Sequence, residues 1–147
     1  MTNSPLLVRL RFALQAGFDA TCWFVALHLA AFLRADFNRQ HIAVVPLLIA
    51  ATLIALGQVV VGRLVGLYIH RWRYGTFEEL GAAVISVGFV TVVATVVNLA
   101  VQSGNAHPGV RVSVPMLAGP VAACLMIAGR ASWRLLLERA TRPSAES

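Results

Sequence analysis

The chain has 147 residues, 59% of them hydrophobic and only 12% charged, with a formal net charge of +6. That balance excludes an ordinary soluble domain and describes a membrane protein, long enough for about four or five spans of roughly 20 residues and no second domain. All twelve basic residues are arginine; without lysine there is no Walker A loop, no Schiff-base nucleophile and no Tyr-x-x-x-Lys pair.

The first apolar run covers about 12–33, after Arg9 and Arg11. It carries Asp19 and is too long for the apolar region of a signal peptide, so it reads as a retained helix. A charge at Asp19, roughly 10 Å into the span, costs on the order of 2.5–3.5 kcal/mol unless paired. The expected partner is Arg73 or Arg63; the alternative is an aspartate that snorkels to water with no fixed partner. His28, nine residues on, falls on the opposite face from Asp19, which argues against a proton relay and for a core histidine bonded to a neighbouring helix.

The second run covers about 42–65 and ends at Gly62-x-x-x-Gly66, a small-residue surface for close helix contact. Gln58 within it reads as interhelical hydrogen-bond glue, as does Asn98 in the third run. Between them lies GLYIHRWRYGTFEEL, Gly66 to Leu80. Tyr68, Trp72 and Tyr74 are rings suited to the headgroup level, with Arg71 and Arg73 beside them. Thr76 and Glu79 fit a capping box that launches the third span, about 80–101.

The fourth run, about 112–129, contains Pro115, which begins a helix readily, and Pro120, which is expected to kink it. In the following segment, about 130–142, Trp133, Leu136, Leu137 and Ala140 fall near one face, with Arg134, Glu138 and Arg142 spaced for pairing on another. It reads as the fourth helix bending along the membrane surface or as only a charged stop-transfer end, and 143–147 as a tail or the start of a linker. Cys22 and Cys124 each lie in an apolar run with no metal-ligand companions and read as buried small hydrophobes.

Nine arginines fall on one side of these spans, against Arg34, Arg39 and Arg111 on the other. The positive-inside rule then puts both termini and the Gly66–Leu80 loop in the cytoplasm. The fold expected over 1–142 is therefore an all-α, integral-membrane bundle of four transmembrane helices. Its arginines flank apolar runs instead of forming a basic face, so a lipid bilayer is the expected partner and nucleic acid is not.

The order Gly66-Leu67-Tyr68, three residues, Trp72-Arg73-Tyr74 and an acidic pair resembles the GLY-x-x-x-WRY signature of the membrane-bound polysaccharide-biosynthesis family of nucleotide-diphosphate-sugar epimerases and 4,6-dehydratases. Arg11, Asp19 and the Ala30/Arg34 exit of the first span are similar to that family's first span, and GRASWRLLLER, Gly129 to Arg139, to its arginine-rich exit from the fourth. Where members often carry Pro-Arg-Ser-Val before the fourth span, this chain has Arg111-Val-Ser-Val114.

The resemblance implies a multi-pass protein of the cell (inner or plasma) membrane that anchors an NAD(P)-dependent nucleotide-sugar epimerase or dehydratase of cell-envelope polysaccharide biosynthesis. The catalytic Rossmann domain would be supplied in cis or trans, and polysaccharide-synthesis enzymes are further partners. The 147 residues contain no G-x-G-x-x-G and no strand–turn–helix alternation, so no catalytic, cofactor-binding or metal residues are assigned in this chain. Asp19, Arg34, Arg63, Tyr68, Trp72, Arg73, Tyr74 and Glu79 are the structural or interface candidates. The alternative is a stand-alone four-span transporter or flippase subunit, GtrA-like, for lipid-linked sugars; it predicts polar residues converging from several helices on one midplane cavity.

Overall fold

The computed structural model describes residues 5–36, 43–68, 77–104 and 110–141. Among these are four helices: α1 (Pro5–Arg34), α2 (Val44–Leu64), α3 (Phe77–Gly104) and α4 (Ser113–Thr141). Each contains an apolar stretch long enough to cross a bilayer, Phe12–Arg34, Val44–Leu64, Leu80–Gly104 and Ser113–Trp133, because 21–25 residues rising about 1.5 Å each exceed roughly 30 Å. They form a membrane helical bundle. α1 packs on α2 and α4, and α3 closes the ring against the same two, with the most extensive interface between α1 and α4.

The packed faces follow helical periodicity. α4 turns Val114, Ala118, Ala122 and Met126 inward at four-residue intervals, against Trp23, Ala26, Leu27 and Ala30 of α1. Several of these are alanines, which let helix axes approach closely where lipid offers no hydrophobic force to press them together. Glycine does the same where a neighbour is bulky: a methyl on Gly129 would collide with the Phe18 ring, and one on Gly119 with Thr91. The outward faces carry Leu53, Leu56, Val60, Ile85, Val92 and Val96, all well exposed. Such surface is stable only against hydrocarbon.

The helices are not equally enclosed. In the most apolar 18 residues of α1, 44% are buried, against 33% in α4 and 22% in α2 and in α3, so α1 and α4 are the more enclosed pair. Trp23 of α1 donates from Nε1 to Gln58 Oε1 at 3.1 Å, and Gln58 Nε2 donates to Ser86 Oγ at 3.0 Å, itself bonded to the Ala83 carbonyl at 2.9 Å. This chain of bonds ties α1, α2 and α3 with all three side chains buried. A buried amide left without partners would cost about 1–3 kcal/mol.

Two expectations are corrected, those for Cys124 and His28. α4 is one helix through Pro120 and on to Thr141, so the segment after 129 is an extension of the fourth helix. Trp133 and Leu136 on it are exposed. Cys22 is buried as expected, but Cys124 is exposed, since it lies between the inward positions Ala122 and Met126. His28 bonds through Nδ1 to the Phe24 carbonyl of its own helix at 2.8 Å and stacks on the Phe24 ring, so the local carbonyl four residues back replaces the expected neighbouring helix.

Candidate functional site

The polar centre of the bundle is built around the end of α2. Val65 caps this helix, and Gly66 follows at φ 80°, a left-handed conformation that glycine adopts without the Cβ clash. The Gly66 amide donates to the Arg63 carbonyl at 3.2 Å and the Leu67 amide to the Gly62 carbonyl at 2.8 Å. This pair of bonds is a Schellman motif, closed by the buried Leu67. The turn sends Tyr68 back along the helix, where its ring lies over Gly62: a Cβ there would sit 2.7 Å from Tyr68 Cε2. The two glycines expected to form a helix-contact surface are thus used within one turn, one for its backbone angle and one for the space above it.

Tyr68 points at Asp19. Its hydroxyl donates to Asp19 Oδ2 at 2.8 Å, while Arg130 Nη2, from α4, donates to Oδ1 at 3.1 Å and to Oδ2 at 2.9 Å. Asp19 is fully buried and the Arg130 side chain is 13% exposed, so this ion pair is shielded from the water that weakens surface pairs. Burial, and after it the Asp19 carboxylate, push the Tyr68 phenol far above its ordinary pKa, so the hydroxyl stays a donor. The adjacent Gly129 admits Phe18 and brings α1 and α4 close enough for Arg130 to reach. One carboxylate therefore joins α1, the turn after α2, and α4.

Asp19 was expected to pair with Arg73 or Arg63. Among the described residues its partners are Arg130 of α4 and Tyr68 of the turn after α2. Arg63 is exposed, its guanidinium carbon 5.4 Å from the centre of the Phe12 ring. Arg73, Trp72, Tyr74 and Thr76 lie outside the described residues. Glu79 is in the first turn of α3, its side chain also outside the description, and Arg34 is exposed in the last turn of α1 at the far end of that helix from Asp19. Sequence reasoning missed Arg130, Phe12, Trp23 and Ser86. The available signal for Arg130 was Gly129 beside it, a small residue placing a cation where two helices touch.

At the other end of the bundle, Asn98 Nδ2 donates to the Val110 carbonyl at 2.6 Å and Gln102 Nε2 donates to the same oxygen, fastening the start of α4 to α3. Among the described residues no group of three His, Cys, Asp or Glu is placed to hold a metal ion. No protein-family model, curated protein or solved structure matches the chain.

Proposed function

We propose that this bundle is the membrane anchor of a nucleotide-sugar epimerase or dehydratase of cell-surface polysaccharide synthesis, with the arginine-rich end and both termini in the cytoplasm. One observation carries the reading. Three of the segments on which the motif resemblance rests, Asp19 of the first span, Gly66-Leu67-Tyr68, and Arg130 of GRASWRLLLER, meet at one carboxylate. A motif whose residues fasten helices to one another suits a scaffold that holds something else in place.

The polar side chains support the same reading by where they are spent. The Asp19, Gln58 and Asn98 groups occupy separate depths, and each is taken up in ties between elements. A transport site would gather such groups from several helices on one cavity at the midplane. In the anchor reading, α4 continues past Trp133 to Thr141, on the order of 12 Å, as a rigid post for a catalytic domain supplied in cis or trans.

The test is to isolate the protein from source-cell membranes in mild detergent, measure its mass, and assay the preparation for NAD(P)-dependent conversion of UDP-N-acetylhexosamines. The expected result is turnover, either by a band well above 15.8 kDa or by a co-purifying soluble dehydratase. A preparation without turnover that moves lipid-linked sugars across vesicles would replace the anchor with the transporter.

A further inference from the structure

Arg63 is exposed in the last turn of α2, with its guanidinium on the Phe12 ring at 5.4 Å. Phe12 meets Tyr68 edge to face, ring centres 5.3 Å apart at 86°, and Tyr68 is held from behind by its bond to Asp19. The arginine is thus mounted on an aromatic shelf backed by the buried ion pair. Among the described residues no carboxylate pairs with it. Arg9, also exposed, precedes Phe12 by three residues on α1, a spacing that makes the two neighbours on one helix surface.

The shelf sits at a defined level. Phe12 opens the apolar stretch of α1 and Leu64 closes that of α2, so Arg63 lies where hydrocarbon gives way to headgroups. Along α2 from this point, Leu64, Val60, Leu56, Leu53 and Ile49 are all exposed and recur every three or four residues. They form a continuous apolar stripe leading away from the cation.

We propose that this shelf binds the phosphate of an anionic membrane phospholipid, with its acyl chain lying along the Leu64–Ile49 stripe. The planar guanidinium matches phosphate bidentately, and its cation–π contact with Phe12 pre-orients it so that less rotamer freedom is lost on binding. Arg9 supplies a second cation. The stripe distinguishes a lipid from a free phosphate, which would use the cations alone. The inference requires only that the helices span a bilayer, and stands whether or not the bundle anchors an enzyme.

The test is native mass spectrometry of the full chain in detergent, titrated in turn with phosphatidylglycerol, phosphatidylcholine and inorganic phosphate. Bound phosphatidylglycerol is expected on the wild type, weakened roughly tenfold by Arg63→Gln. Phe12→Leu, which keeps every charge, is expected to weaken it as well. Arg139→Gln, an exposed arginine on α4, is expected to leave it within about twofold. Equal losses from Arg63→Gln and Arg139→Gln would mean diffuse attraction to a basic end and would overturn the site. So would unchanged binding in Phe12→Leu, equal affinity for phosphatidylcholine, or displacement of the lipid by inorganic phosphate.

Discussion

The two ends of the bundle fasten α4 by different chemistry. At one end Arg130 meets Asp19 across 111 residues of chain, with Tyr68 joining from 49 residues away. At the other, Asn98 and Gln102 reach Val110 across only 12 and 8 residues. The neutral bracket closes a short connection that holds α3 and α4 together in any case, so little conformational freedom depends on it. The charged tie joins the first helix to the last, which no short loop constrains, and removing one member of a buried ion pair is strongly destabilising. The difference teaches that correct closure of the ring is enforced at the Asp19 end and merely tidied at the Asn98 end.

Breaking the charged end produces the largest effect. Asp19→Asn leaves the Arg130 charge buried without its carboxylate and is expected to cost about 3–5 kcal/mol, read by reversible unfolding in mixed micelles. Replacing both members, Asp19→Leu with Arg130→Leu, is expected to recover most of that loss, because neither charge of the pair is left to be buried. Simple additivity of the two single losses would show that the residues are not coupled, and the contrast between the ends would lose its basis.

How much of this was legible follows from which interactions are local. Four helices could be read because each needs only its own apolar run, and Asp19 announced its need for a partner because the cost of burying a charge is independent of the fold. Arg130 as a partner could not be read. Arg130 falls one residue beyond the expected end of the fourth span at 129, where an arginine looks like a flanking orientation signal, and nothing in the periodicity of α1 says which helix lies against it. Gly62 and Gly66 had the right spacing for a helix contact, yet the left-handed angle at Gly66 and the Tyr68 ring over Gly62 use both within one turn. Trp23 gave no signal, since an indole inside an apolar run looks the same whether or not its N–H reaches Gln58.

The middle-sized effect sharpens the charged end from within. Tyr68→Phe keeps the ring over Gly62 and against Phe12 but removes the hydroxyl, leaving Asp19 held by Arg130. A hydrogen bond to a charged group is worth about 1.5–3 kcal/mol, and the low end is expected here because the carboxylate keeps its stronger partner. The same micelle unfolding measures it, and a loss as large as that of Asp19→Asn would make the tyrosine, not the arginine, the main fastening.

The smallest effect is expected at the neutral end. Asn98→Ala removes one of two donors to the Val110 carbonyl, and Gln102 continues to satisfy that oxygen. Interhelical hydrogen bonds in membranes average roughly 0.6 kcal/mol, since the separated helices find other partners in the bilayer. The expected loss is of that size, measured in the same micelles beside Asp19→Asn. If Asn98→Ala matched the aspartate variant, the short connection into α4 would be as decisive as the tie across the bundle, and closure of the ring would have to be explained from both ends at once.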